Sequence, residues 1–136
     1  MLFYLLLTLF LVAPKHPPPV VTKTEIVTSP TEISAYVRKV QHEYGLTDVF
    51  YETLRYESAG FQNIQSLIVK NGKREESYGI AQIHLPSHPS ITREQALTPH
   101  WAIEWAAKEW KAGRQWQWTG WYVVRARSAP LVSHSL

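Results

Sequence analysis

Between Ser29 and Gly45 the residues Ile33, Tyr36, Val37, Val40 and Tyr44 recur at steps of three and four. That spacing lines one face of an α-helix and does not line one face of a strand. Both ends of the segment are marked as well. Ser29-Pro30-Thr31-Glu32 combines an N-cap serine, a proline at the first helical position and a glutamate three residues after the cap, the arrangement of a capping box. Gly45 suits the left-handed residue that closes a helix. A helix with such a stripe must bury it against partners, so the rest of the chain has to supply them.

It does so in order. Thr47 is placed to cap a second helix from Asp48 to about Ser58, with Val49, Phe50, Leu54 and Tyr51 inward and Gly60 as its stop. Asn71-Gly72, between Leu67-Ile68-Val69-Lys70 and Lys73-Arg74, predicts a type I′ hairpin turn. Pro86 and Pro89 break the chain after Ile83. Thr92-Arg93-Glu94-Gln95 is a second capping box and starts a short helix. Thr98-Pro99 opens a longer one to about Ala112, closed by Gly113. It carries Ala102, Ile103, Trp105, Ala106 and Trp110 as its apolar positions, with alanines small enough for close helix approach. Trp116, Trp118 and Trp121 follow on a short helical or extended segment. The expected fold class is mainly α (α+β), with one small β-hairpin.

The ends read differently. Residues 2–13 are apolar except for Thr8. The run is shorter than the roughly 20 residues of a bilayer span and fits the apolar region of an export signal, or an uncleaved membrane anchor. Pro17-Pro18-Pro19 and the Val/Thr-rich chain after it predict an extended linker over residues 14–28. The folded domain is assigned to 29–124 and a loose polar tail to 125–136.

With 136 residues there is room for one domain. The net charge of +3 is scattered rather than clustered, which gives no footprint for nucleic acid. There is no cysteine, so disulfides and thiolate metal sites are excluded. Pro86 between His84 and His88 forbids a regular helical His-x-x-x-His pair, so no metal is expected. Phosphate loops, nucleophile elbows and dinucleotide fingerprints are absent, and no cofactor is implied.

Two stretches carry chemistry. Tyr56-Glu57-Ser58-Ala59-Gly60-Phe61 puts a carboxylic acid at a helix end among apolar neighbours. Burial and the negative end of the helix dipole both disfavour its ionisation, as a general acid requires. Ser77-Tyr78-Gly79-Ile80-Ala81-Gln82-Ile83 is a glycine-centred apolar segment with one amide side chain. Together, Glu-Ser-x-Gly-Phe and Ser-x-Gly-Ile-x-Gln-Ile resemble the soluble lytic transglycosylase family of the lysozyme-like superfamily, over roughly residues 33–121.

The resemblance implies a lysozyme-like helical domain with the hairpin beside the active-site cleft. It further implies an exported, periplasmic, cell-envelope or extracellular monomer acting on peptidoglycan strands. Glu57 maps onto the family's catalytic acid, and Ser58 onto its neighbour at acid or substrate. On the bland view Ser58 simply bonds backbone at a helix end. Gly79 is expected to allow close backbone approach to sugar. Gln82 either bonds sugar and orients Glu57 or ties down a turn. Tyr78 either stacks on a sugar or covers the core. Most tryptophans suit core positions, and Trp118 and Trp121 are the candidates for the cleft. The family's later Tyr-Asn-x-Gly motif is missing; Trp118-Thr119-Gly120-Trp121-Tyr122 stands in that place, with Tyr122 the candidate substitute. A second carboxylate, such as a glycosidase uses, has only Glu75 and Glu76 as candidates, and both also read as solvated charges beside Lys73 and Arg74. The implied activity is cleavage of the MurNAc-β-1,4-GlcNAc bond to 1,6-anhydroMurNAc ends by one acid/base. Lysozyme-type hydrolysis and an inactive wall-binding module are the rivals.

Overall fold

The computed structural model describes residues 29–129 of the 136. The export or anchor segment, the linker and residues 130–136 lie outside the described residues. Among the described residues no helix is long and apolar enough to cross a membrane.

The first helix, α1 (Pro30–Glu43), has both halves of its capping box, with the Ser29 side chain accepting from the Glu32 amide and the Glu32 carboxylate from the Ser29 amide. Ile33, Val37 and Val40 are fully buried, while Tyr36 and Tyr44 pack at the edge of the core. Gly45 takes the left-handed conformation (φ 62°), and two backbone bonds beyond the helix end, Gly45 to His42 and Leu46 to Gln41, close a Schellman motif.

Helix α2 (Asp48–Glu57) follows. Thr47 occupies the N-cap without a side-chain cap bond, so the expected hydroxyl cap is not made. The helix ends one residue earlier than expected, and the left-handed closing residue is Ala59 (φ 50°), not Gly60. Gly60 and Phe61 are also left-handed, at φ 86° and 67°. This run of three turns the chain back so that the Phe61 ring enters the core against Tyr51, 5.1 Å between ring centroids.

Strands β1 (Val69–Lys70) and β2 (Lys73–Arg74) pair antiparallel in the register Lys70↔Lys73, around left-handed Asn71 and Gly72, as the turn chemistry requires. A second antiparallel pair was not expected: β3 (Ser77–Tyr78) and β4 (Ile83–His84), with Tyr78 opposite Ile83. A short 3₁₀ turn, Leu85–Ser87, follows where the prolines stop the strand.

Helix α3 (Arg93–Ala96) has the full Thr92–Gln95 capping box. Helix α4 (Pro99–Lys111) buries Ala102, Ile103, Ala106, Ala107 and Trp110 and packs against α1. A 3₁₀ turn at Gln115–Gln117 leads into α5 (Thr119–Ser128), which packs on α2. Helix α5 runs four residues past the boundary set at Val124, so the polar stretch Arg125–Ser128 is helical rather than tail. The protein is mainly α, with two small antiparallel strand pairs.

Candidate functional site

Two cavities lie along the C-terminal end of α2. The smaller, ≈ 260 Å³, sits between α2 and α5 beside Arg55 and Arg127. The larger, ≈ 970 Å³, is a cleft of the size that holds small-molecule ligands or a stretch of polymer. Glu57 and Ser58 line it from α2, Leu67, Ile68, Lys70 and Glu75 from the hairpin, and Gln82 and His84 from the β3–β4 pair. Trp105, Trp116 and Trp118 complete the lining.

Glu57 is the last residue of α2 and is half-buried. Helix α5 crosses so close that the Gly120 amide donates to Glu57 Oε1 at 2.5 Å. Only glycine permits this crossing: a Cβ on residue 120 would lie 2.8 Å from Tyr56 Cδ1 and 3.0 Å from that carboxylate oxygen. Glu57 thus meets the negative end of its own helix and a donor from the start of another, two opposing influences on its charge. Burial pushes the carboxyl up, the Gly120 amide pulls it down, and the Glu75 charge pushes it up again. The outcome is a carboxyl held above its ordinary value.

Glu75 has the reverse setting. Burial works against its ionisation but is outweighed by hydrogen bonds from Lys70 and Ser66, so it is held below the ordinary carboxylate range. Lys70 Nζ lies 3.1 Å from its Oε1, and Ser66 Oγ donates to Oε2 at 3.1 Å. Its partner is therefore Lys70 across the hairpin, whereas Glu76 takes the exposed position beside Lys73, at 3.9 Å.

The other predicted residues divide. Ser58 is buried with its hydroxyl committed to backbone, donating to the Leu54 carbonyl at 2.6 Å and accepting from the Phe61 amide at 2.9 Å. It closes the helix and so fixes Glu57 from behind. Gln82 lines the cleft, and its amide ties the turn, donating to the carbonyls of Gly79 (2.9 Å) and Ile64 (3.1 Å). Gly79 is required for close approach, but to protein: a Cβ there would sit 1.9 Å from the Ala96 carbonyl oxygen. Its expected approach to sugar is corrected to packing against α3. Tyr78 is 6% exposed and belongs to the core, with the Arg93 guanidinium 4.9 Å from its ring centre, so the stacking role does not hold. Trp118 borders the cleft but is a core anchor, its indole N–H donating to the Ala81 carbonyl at 2.8 Å.

Tyr122 is not brought to the acid. It is 55% exposed and packs edge-on against Trp121, and neither ring is among the cleft-lining residues. The reason is helical phase: Gly120 faces α2, and two residues later the side chain points away from it. The contact expected of Tyr122 is made instead by the Gly120 amide. The indole that presents a free face to the cleft is Trp116, 61% exposed.

Gly120 and Trp116 are the site residues that the sequence did not single out as such, and of the two candidate second carboxylates, Glu75 and Glu76, it is Glu75 that lines the cleft. Gly120 alone left a signal, a glycine at the start of a helix between Trp118 and Trp121. His84 Nδ1 is 2.7 Å from Ser87 Oγ and His88 stacks edge-on with Trp105. Among the described residues no three histidines or carboxylates gather as a metal-holding group.

None of the family models, curated proteins or solved structures compared with this chain matches it.

Proposed function

We propose that the chain is a lytic transglycosylase of lysozyme-like type that cleaves the β-1,4 bond between N-acetylmuramic acid and N-acetylglucosamine in peptidoglycan. One observation carries the reading. Glu57 is a half-buried carboxyl held toward its acid form and fixed by one backbone amide, in a cleft large enough for a glycan strand. The family resemblance of the two motifs around it supplies the substrate class.

The acid acts twice. Glu57 gives its proton to the leaving glycosidic oxygen as the C1–O bond breaks, and the substrate's 2-acetamido oxygen bonds to C1. The 6-hydroxyl of the same muramic sugar then displaces that oxygen. Its proton returns to Glu57, leaving a 1,6-anhydro ring with no water consumed. A raised carboxyl suits both halves, because the best acid/base has a pKa close to the working pH. Trp116 offers an indole face to sugar C–H surfaces at the cleft edge. The proposed setting is the cell envelope, reached by export of the N-terminal segment.

Hydrolysis of the same bond is the second reading, and one observation favours it: Glu75 is a carboxylate in the same cleft, where a second group could hold a water. Mass spectrometry of the sugars released from purified peptidoglycan separates the two. Anhydro ends are expected. Reducing ends, heavier by one water, would replace this reading with the hydrolytic one. A folded chain that binds the wall and releases nothing would leave only a binding module.

A further inference from the structure

Glycan-cleaving clefts commonly hold two carboxyl groups in unlike surroundings, and the environment assigns their roles. The reading of this chain as a single-acid enzyme leaves Glu75 unused, yet its position is specific. It follows β2 directly, and its own amide donates to the Ile68 carbonyl at 2.8 Å, extending the hairpin pairing past Arg74. Its carbonyl accepts from Gln65 Nε2 at 3.0 Å, so the backbone is held on both sides. Both carboxylate oxygens are engaged, one by Lys70 and one by Ser66. The side chain is only 19% exposed, against 48% for neighbouring Glu76.

We propose that Glu75 is the second carboxylate of this site, an anion fixed on the cleft wall by Lys70 and Ser66 that serves as the electrostatic partner of Glu57 during cleavage. The proposal rests on the function given above and adds a positioning residue to it. A fixed anion in the same cleft favours the neutral form of Glu57 in the free enzyme. After Glu57 has lost its proton to the leaving oxygen, the same charge favours recovery of a proton from the 6-hydroxyl. Attack on C1 by Glu75 itself is not part of the role, since Ser66 and Lys70 occupy its two oxygens. The titratable groups around Glu75 are Lys70 on β1, His84 on β4 and Glu57 on α2. Those acting on Glu57 are Glu75 and the Gly120 amide dipole of α5.

The test follows the two carboxyl groups directly, by carbon-13 NMR of the full chain labelled at glutamate side chains, with cleavage of peptidoglycan measured across the same pH range. In Glu75→Gln the Glu57 midpoint is expected to move to lower pH. The alkaline limb of the cleavage profile should move with it, and cleavage at pH 7 should fall in proportion to the neutral fraction of Glu57. Lys70→Met keeps the carboxylate and removes its clamp, so the Glu75 midpoint should rise in a variant that does not alter Glu75. A Glu57 midpoint that stays in place in folded Glu75→Gln, with wild-type cleavage intact, overturns the pairing and leaves the function standing. A midpoint that moves while the cleavage profile does not overturns the catalytic use of the pair. A wild-type chain that releases no glycan overturns the function, and the catalytic use of the pair with it.

Discussion

Two half-buried glutamates sit on different helices, and their surroundings differ in one respect. Glu104, on α4, receives two hydroxyl donors, Tyr36 at 3.1 Å and Tyr44 at 2.8 Å, one on each oxygen. Burial, and then acceptance by Glu104, push the Tyr36 hydroxyl up to about 12, so it stays a donor throughout the physiological range. Glu57 has one donor among the described residues, the Gly120 amide, and opens on a cleft. A carboxylate with both oxygens satisfied is a joint between helices. One held by a single amide, with burial opposing its charge, binds its proton more tightly than an ordinary carboxyl does. The contrast separates an acid committed to packing from one left open to a cleft.

The sharpest way to break the contrast is to neutralise Glu57, the proposed acid. Glu57→Gln keeps the size and an oxygen for the Gly120 amide but cannot give up a proton. Release of glycan fragments should fall by about 10²- to 10⁴-fold, the worth of a positioned acid/base. Wall binding and the circular dichroism spectrum should be unchanged. A variant that cleaves like wild type removes Glu57 from the chemistry.

Gly120→Ala tests the donor rather than the acid. The added Cβ meets Tyr56 and the Glu57 carboxylate within 3.0 Å, so the Tyr56 ring, the Glu57 carboxylate or α5 itself must shift. A cost of about 1–3 kcal/mol is expected from the overpacked crossing, read by urea unfolding, together with slower cleavage because the amide leaves the carboxylate. Normal cleavage in a destabilised variant would show that the Gly120 amide does not hold the acid in place. Tyr36→Phe is the matching change in the other region. It deletes one donor to Glu104 and should cost about 1 kcal/mol, with cleavage unaltered. Any loss of activity there would blur the distinction between the two acids.

Much of this arrangement is written in local residue chemistry. Helix α1 was legible because its periodicity, capping box and closing glycine agree, and the hairpin because Asn71-Gly72 supplies both positive-φ positions. Glu57 was legible as an acid at a helix end. What escaped depends on contacts between distant parts of the chain. The Gly120 amide reaches an acid 63 positions earlier, and no local pattern encodes that meeting. Gly79 was correctly seen as a place of close approach, but the approaching group, the Ala96 carbonyl, belongs to another helix. Glu75 and Glu76 read alike, as candidate second carboxylates or as solvated charges beside Lys73 and Arg74, until the hairpin set Glu75 beside Lys70 in the cleft and left Glu76 exposed. Trp116 and Trp118 differ in exposure because the 3₁₀ turn at Gln115–Gln117 sends one indole out and the next inward.

The smallest expected effect is the most specific, because its sign depends on which influence on Glu57 wins. The folded carboxyl lies above its ordinary value of 4.5, with burial the largest cause. The folded state therefore holds that proton more tightly than the unfolded chain does. The stability this contributes is complete below the unfolded value and is lost as pH rises through the folded one. At neutral pH the wild type bears the cost of ionising a half-buried group, and Glu57→Gln does not. The variant should melt at a higher temperature than wild type at pH 7, and the gap should close as pH falls below about 4.5. Had the Gly120 amide outweighed burial, the carboxylate would be the favoured form and the variant would melt lower at pH 7. Melting curves of the two proteins from pH 3 to 8 thus decide whether the fold holds Glu57 as an acid, independently of whether any substrate has been found.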